Sequence, residues 1–215
     1  MEANKITLKT LLVSITAILA AEVVLRPAIT SLFASPLPGL GITRLAEIIL
    51  LILITLRFEK SADAIGLAPT NLLAGIKKGL IWSACFGIIA GILLLVLYAM
   101  GINPLKMLHS PLPNSKPLVF VYLVVGGVMG PIAEELFFRG ILYAFFRRWG
   151  VYTAVVLSTL LFILPHLTGT NLPATQLVGG VVFAIAYEKE KSLMVPIAIH
   201  CLGNLAIFIT SWFFT

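Results

Sequence analysis

Residues 131–140 read Pro-Ile-Ala-Glu-Glu-Leu-Phe-Phe-Arg-Gly, and this stretch places three charges inside a long apolar segment. Glu134, Glu135 and Arg139 are flanked on both sides by runs of apolar residues. An ionisable side chain at bilayer depth costs about 2.5 to 3.5 kcal/mol on insertion scales. Three such side chains within six residues therefore indicate a use for the charges.

The composition is that of a polytopic membrane protein. The 215 residues are 60% hydrophobic and 11% charged, and the mean hydropathy is +1.07. No polar stretch is long enough for a separate soluble domain. The net charge is +6, but the basic residues lie between apolar segments and form no single stripe or arm. We therefore expect the lipid bilayer as a partner, and no nucleic acid.

Seven apolar segments predict an all-α bundle of about seven transmembrane helices, with the candidate site among the last four. The first segment is too long for a signal-peptide core and contains Glu22 and Arg26, so we expect it to be retained. We expect the connection 57–78 to lie partly along the membrane interface as an amphipathic helix. Within one membrane domain we separate N-terminal helices and loops, 1–117, from a C-terminal helical core, 118–215. The seven segments cover roughly residues 8–33, 42–56, 79–100, 118–146, 151–168, 173–187 and 193–214.

The basic residues predict the orientation in the membrane. With alternating sides, one side carries ten of them: Lys5, Lys9, Arg57, Lys60, Lys77, Lys78, Arg147, Arg148, Lys189 and Lys191. The other side carries three: Arg44, Lys106 and Lys116. Cytoplasmic loops carry the excess of Lys and Arg. The bias therefore predicts a cytoplasmic N-terminus, an external C-terminus and an odd number of spans.

Helical phase divides the three charges of the fourth segment. Glu135 and Arg139 are four residues apart, so they share a helix face and can pair. Glu134 is rotated by about 100° from Glu135 and points elsewhere. An ion pair that merely tolerates burial would explain Glu135 and Arg139. It leaves Glu134 unexplained.

Two later segments carry polar residues at the same helical spacing. The fifth contains Phe162 and His166 on one face, with Pro165 placed to kink the helix just before the histidine. The seventh contains His200 and Asn204 on one face. Taken alone, each is equally well explained by packing or by hydrogen bonding between helices.

Taken together, the polar residues of the three segments suit hydrolysis. A compact bundle can bring together Glu134, His166, His200 and Asn204. A glutamate and a histidine can polarise a water molecule, and a histidine and an asparagine can donate hydrogen bonds to a developing oxyanion.

No covalent nucleophile stands out in the sequence. Ser158 is no better a candidate nucleophile than other residues of its segment, and Cys201 does not lie on the helix face of His200 and Asn204. The zinc-helix pattern HExxH is absent. We therefore prefer direct attack by water.

At these residues the sequence resembles the CPBP (Abi) family of intramembrane proteases. That family includes the type II CAAX prenyl endopeptidase and bacterial lysostaphin-resistance and bacteriocin-processing relatives. The resemblance covers about residues 118–208. The family pattern EExxxR, FxxxH and HxxxN or HxxxD occurs in order as Glu134-Glu135-xxx-Arg139, Phe162-xxx-His166 and His200-xxx-Asn204.

The resemblance implies a glutamate-dependent endopeptidase that works within the bilayer. Its substrate would be a membrane-anchored or prenylated protein or peptide, cleaved near the membrane. The implied roles are water activation by Glu134 and His166, oxyanion stabilisation by His200 and Asn204, and support of the site by Glu135, Arg139 and Phe162.

Three alternatives to this interpretation stay open. Zinc ligated by Glu134, His166 and His200 is possible, although we favour a site without a required cofactor because a single asparagine and a Glu-His pair make a poor tetrahedral ligand set. Buried Glu and His residues also line ion paths in transporters, but the segments show no internal repeat. A peptide-binding scaffold would use the same cavity. Without an N-x-S/T sequon, the chain suits a prokaryotic cell membrane, while its exact substrate and oligomeric state are not determined.

Overall fold

The computed structural model describes residues 6–103, 108, 110–167 and 173–213. Lys5 and Lys106, which entered the charge count above, lie outside these residues. In the part of the chain so described, all regular structure is helical, which confirms the predicted all-α class. The long helices are α1 (Leu8–Thr30), α2 (Pro36–Glu59), α3 (Pro69–Ala99), α4 (Lys116–Trp149), α5 (Val151–His166), α6 (Ala174–Glu190) and α7 (Met194–Phe213).

Five of these helices, α1 to α4 and α7, are long and apolar enough to cross a membrane by length and composition. The helix α5 is apolar but shorter, and α6 has 17 residues, a length of about 26 Å at ~1.5 Å per residue. The protein is therefore a multi-pass membrane protein. Seven crossings, as opposed to seven helices, remain a prediction.

Polar contacts join the ends of several helices at one end of the bundle. They link the starts of α1 and α3 and the ends of α2, α4 and α6. Alternate helices therefore run in opposite directions, and this end carries most of the basic residues. The contacts are Thr7 N to Glu59 Oε1 at 2.8 Å, Lys78 Nζ to Glu190 Oε2 at 2.8 Å and Arg147 Nε to Glu188 Oε2 at 3.0 Å.

The prediction of an interfacial helix in the connection 57–78 is wrong. The helix α3 begins with the 3₁₀ turn Pro69–Asn71 and continues as an α-helix from Leu72 onward. The connection between α2 and α3 contains the short 3₁₀ turn Ala62–Ile65. The predicted third segment begins only at residue 79, because Lys77 and Lys78 interrupt the apolar run before it. In the structure Lys78 pairs with Glu190 and stays helical, so the charge does not break the helix.

The core of the bundle is centred on the second half of α4. Leu136, Ile141 and Tyr143 are almost wholly buried there, and α1, α2, α5, α6 and α7 pack around this helix. In contrast, the outer half of α3 exposes large apolar side chains such as Ile88, Ile92 and Leu95, as expected for a surface that faces lipid. The charged stretch that opened the sequence analysis therefore lies in the buried second half of α4.

Candidate active site

A fully buried ion pair lies at the centre of the site. Arg139 Nη1 donates to Glu135 Oε1 at 2.9 Å, and both side chains have no exposed surface. Arg139 Nη2 also donates to the carbonyl oxygen of Gly180 at 3.2 Å. Its guanidinium lies 4.6 Å from the ring centre of Phe162 and 5.2 Å from that of Phe183. The predicted pairing is thus present, and the buried cation is further stabilised by two aromatic faces.

The close approach of α6 explains the contact with Gly180. A Cβ atom at this position would lie 2.8 Å from Cγ2 of Thr159 on α5, too close for any side chain. Because glycine has no Cβ, α6 can pack directly on α5. Its backbone carbonyl is then available to Arg139.

His200 is held by the same carboxylate. Its Nδ1 lies 2.8 Å from Glu135 Oε1, a distance at which an Nδ1–H group donates a hydrogen bond to a carboxylate. The imidazole stacks on Phe183 with ring centres 4.7 Å apart and an interplanar angle of 25°. The hydrogen bond and the stacking together fix the orientation of the ring.

The carboxylate of Glu134 lies near the other ring nitrogen of His200, Nε2. Its Oε2 lies 3.8 Å from Nε2 of His200. Its side chain is 22% exposed, whereas that of Glu135 has no exposed surface. Helical phase therefore separates the two glutamates by environment, as expected. Both nevertheless face one histidine, which the phase argument does not reveal.

Asn204 lies one turn beyond His200 on α7. Its Nδ2 donates to the carbonyl oxygen of Gly126 at 2.9 Å. This carbonyl belongs to Val125–Met129, a π-helical stretch of α4, and a second π-helical stretch covers Leu136–Tyr143. Inside α-helices such widened turns are often found at functional sites. They flank the two turns that carry the glutamates.

His166 lies at the C-terminal end of α5, in the 3₁₀ turn Leu164–His166. Its Nδ1 is 2.8 Å from the carbonyl oxygen of Phe162, and its ring centre is 5.0 Å from that of Phe162. The same phenyl ring contacts His200, with centres 5.8 Å apart. Within the described residues, His166 therefore reaches the rest of the site through Phe162 and makes no direct hydrogen bond to Glu134.

Sequence reasoning missed two features of this site. One is the bond between Glu135 and His200, which are 65 positions apart. The other is Phe183, which stacks on His200 and also covers Arg139. No motif marked this phenylalanine, because aromatic residues are common in apolar helices. The spacing of Glu135 and Arg139 had already supplied a sufficient partner for the glutamate.

The donor atoms do not form a zinc site as arranged. In the part of the chain that the structure describes, no group of three His, Cys, Asp or Glu residues is placed to hold one metal ion. His200 Nδ1 is bonded to Glu135, and His166 Nδ1 is bonded to a backbone carbonyl. The proposed ligands Glu134, His166 and His200 would have to rearrange to bind zinc tetrahedrally.

Comparison with known families gives a match over this region. Residues 116–206 match the family model described as type II CAAX prenyl endopeptidase Rce1-like. The resemblance seen in the motifs is confirmed. The Rce1-like region contains every residue of the site from Glu134 to Asn204, and it leaves α1 to α3 outside the match.

Individual relatives extend the comparison. The chain is 27% identical over 167 residues to the "Putative membrane peptidase YdiL" of Bacillus subtilis (strain 168), covering 75% of this chain and 66% of that protein. It is 30% identical over 105 residues to the membrane-embedded CAAX protease MroQ of Staphylococcus aureus (strain USA300), covering 43% and 42%. The chain thus spans less than two thirds of the length of these relatives. No solved structure matches.

Proposed function

We propose that this protein is an intramembrane endopeptidase in which Glu134 acts as the general base. Its substrate would be a membrane-anchored or prenylated protein or peptide. The observation that carries the proposal is the arrangement at His200, which is held between two adjacent glutamates inside a membrane bundle. A structural ion pair requires only Glu135 and Arg139. The placement of Glu134 near the opposite ring nitrogen supports a catalytic role for it.

The charges of the site balance when His200 is doubly protonated. Glu134 and Glu135 then carry two negative charges, and Arg139 and His200 carry two positive charges. A neutral set is favoured in a buried site, where an unpaired charge is costly. In this state Nε2 of His200 carries a proton that it can donate to an oxyanion.

The proposed reaction is a direct attack by water. Glu134 takes a proton from the water molecule while the water oxygen forms a bond to the carbonyl carbon of the substrate, and His166 polarises the same water. The carbonyl oxygen becomes an oxyanion, to which His200 and Asn204 donate hydrogen bonds. The C–N bond then breaks, and Glu134 returns the proton to the leaving amine.

Three residues, Glu135, Arg139 and Phe162, support this chemistry without contacting the substrate. Glu135 orients His200 and stabilises its second proton, while Arg139 neutralises Glu135. Phe162 contacts both His166 and His200, so it holds the two histidines on one aromatic ring. The proposed steps require no metal, and zinc held by Glu134, His166 and His200 is the alternative.

Cleavage of membrane-anchored peptides by purified protein in lipid vesicles tests the proposal. Glu134→Gln should lower the rate by about 10²-fold to 10⁴-fold, the usual contribution of a general base, and His166→Ala should also lower it. Glu188→Gln, at the far end of the bundle, is the matched control and should cleave normally. Full activity in Glu134→Gln would contradict the proposed role.

A chelator in the same assay tests the zinc alternative. The proposed mechanism predicts that strong chelation leaves the rate unchanged. Loss of activity on chelation, restored by added zinc, would overturn the metal-free mechanism. A wild-type protein that binds peptides or conducts ions but never cleaves would instead support the binding or transport alternatives.

A further inference from the structure

The proline that begins the charged stretch changes the backbone hydrogen bonding of α4. Pro131 is buried and follows the π-helical stretch Val125–Met129. At the end of that stretch the N–H group of Gly130 donates to the carbonyl oxygen of Val125, five residues back. The next hydrogen bond of the same kind would run from residue 131 to Gly126. Because proline has no N–H group, the carbonyl oxygen of Gly126 loses this helical donor.

Asn204 on α7 takes the place of the missing donor. Its Nδ2 atom lies 2.9 Å from the carbonyl oxygen of Gly126. The neighbouring residue lets the two helices approach closely, since a Cβ atom at Gly127 would lie 2.5 Å from Cδ2 of Leu205 on α7. The helix α7 therefore packs directly on the part of the backbone from which Pro131 removes a hydrogen bond.

A carboxamide held in this way still has a donor for the substrate. The Nδ2 atom of asparagine carries two N–H groups, and the bond to Gly126 uses one of them. The same bond fixes which end of the carboxamide faces α4, since a carbonyl oxygen accepts a hydrogen bond only from the NH₂ end. The second N–H group of Asn204 is then held in one orientation, one helical turn from His200, where it can donate to an oxyanion.

We propose that Pro131 is a positioning residue that acts through Asn204, because it leaves the carbonyl oxygen of Gly126 free to orient the carboxamide. The inference rests on the function proposed above and assigns a role to a residue outside the motifs of the family pattern. An asparagine without this acceptor would be free to change rotamer, and a misplaced oxyanion donor lowers catalysis strongly. The effect should therefore be on kcat and not on KM.

The helix α1 contains the same backbone arrangement away from the proposed site. At the end of its π-helical stretch Ala21–Leu25, the N–H group of Arg26 donates to the carbonyl oxygen of Ala21, and Pro27 follows directly. Pro27 is exposed, and α1 carries none of the proposed catalytic residues. Pro27→Ala makes the same chemical change at the same kind of turn, so it is the matched control.

Peptide cleavage in lipid vesicles and thermal unfolding test the inference. Pro131→Ala supplies the missing N–H group, so the carbonyl oxygen of Gly126 can bond within α4 and its bond to Asn204 is weakened. We expect kcat to fall about tenfold with KM within about twofold of the wild type. The Tm should equal or exceed that of the wild type, because alanine suits a helix interior better than proline does. Pro27→Ala should keep the wild-type kcat.

A double-mutant cycle shows whether the proline acts through the asparagine. Asn204→Ala should lower kcat by about 10²-fold or more, and Pro131→Ala should cause no further loss in that background. If the two losses multiply instead, or if Pro131→Ala alone keeps the wild-type kcat, the inference is overturned. An equal loss of kcat in Pro27→Ala would overturn it as well, since any proline within a helix would then have the same effect.

Glu134→Gln, measured alongside, separates this inference from the proposed function. If Glu134→Gln cleaves at the wild-type rate, the proposed function fails. If it is inactive while Pro131→Ala keeps the wild-type kcat, only this inference fails.

Discussion

Arg139 and Arg147 lie two helical turns apart on α4, and each pairs with a glutamate, but the two ion pairs are built differently. The pair of Arg139 with Glu135 is closed within one helix and fully buried. The pair of Arg147 with Glu188 joins α4 to α6, and its side chains are 23% and 17% exposed. The inner pair, Arg139 with Glu135, also binds His200. In the outer pair, Arg147 with Glu188, the glutamate also binds Tyr143 and Lys191 at the end of the bundle.

The difference shows why an ion pair alone is weak evidence for function. Both pairs neutralise charge and both include hydrogen bonds of good length. Only the glutamate of the inner pair, Glu135, is also hydrogen-bonded to a histidine. The other ring nitrogen of that histidine, His200, faces the carboxylate of Glu134. The functional interpretation therefore depends on His200 and Glu134, and not on the burial of Arg139.

The largest effect should come from breaking the inner pair. Arg139→Leu leaves Glu135 buried without its cation, a loss of about 3 to 5 kcal/mol in comparable buried pairs. We expect a strongly reduced yield of monodisperse protein on size-exclusion chromatography and a lower Tm. Arg147→Leu is the matched control on the same helix and should lose much less. Equal yields and Tm values for the two variants would show that burial does not distinguish the pairs.

A smaller effect is expected from the aromatic support of the inner pair. Phe183→Leu removes the ring that stacks on His200 and covers Arg139, and such contacts contribute about 0.5 to 2 kcal/mol. We expect a folded protein with kcat reduced several-fold in the peptide assay. Phe120→Leu changes a phenylalanine that is 68% exposed and should leave kcat unchanged. A wild-type rate in Phe183→Leu would mean that Glu135 alone orients the histidine.

The smallest effect concerns the outer pair and depends on pH. Partial burial alone would raise the pKa of Glu188, but hydrogen bonds from Arg147, Lys191 and Tyr143 lower it to about 2, below its usual value of 4.5. The helix α6 is not among the five candidate spans, and Glu188 lies in its last turn. A lowered pKa adds stability above pH 4.5, and this contribution is lost as the pH falls towards 2.

Thermal unfolding between pH 6 and pH 2.5 measures this term. The wild type should lose stability over the lower part of the range more steeply than Glu188→Gln. At neutral pH the two proteins should differ by at most about 1 kcal/mol, since the pair is partly exposed. Identical pH profiles would show that the hydrogen bonds of Glu188 with Arg147, Lys191 and Tyr143 do not stabilise the folded protein.

The sequence predicted the local features well. Each of the seven apolar segments corresponds to a long helix in the part of the chain that the structure describes, and the four-residue spacing predicted the pair of Glu135 and Arg139. These features depend on hydrophobicity and helical phase, which are properties of nearby residues. The start of α3 was placed too late, because Lys77 and Lys78 looked like the end of a span. Their position at the end of the bundle allows a pair with Glu190 that the sequence does not show.

The contacts between distant helices could not be predicted in the same way. The bond of His200 to Glu135, the stacking of Phe183 and the ion pair of Arg44 with Glu22 each depend on which helices become neighbours. A single sequence does not determine this in an apolar bundle, since every face is hydrophobic. Glu22, Arg44 and Glu47 were visible as charges in apolar segments. They come together only when α1 packs against α2.

The most direct test compares the two adjacent glutamates in one experiment. Glu134→Gln and Glu135→Gln are the same change at neighbouring positions, and each is measured for Tm and for peptide cleavage in vesicles. The proposed division of roles predicts that Glu134→Gln keeps a Tm near the wild type while cleavage falls at least about 10²-fold. Glu135→Gln should instead lower the Tm clearly, because Arg139 loses its counterion. A stable, inactive Glu135→Gln beside an active Glu134→Gln would contradict the account.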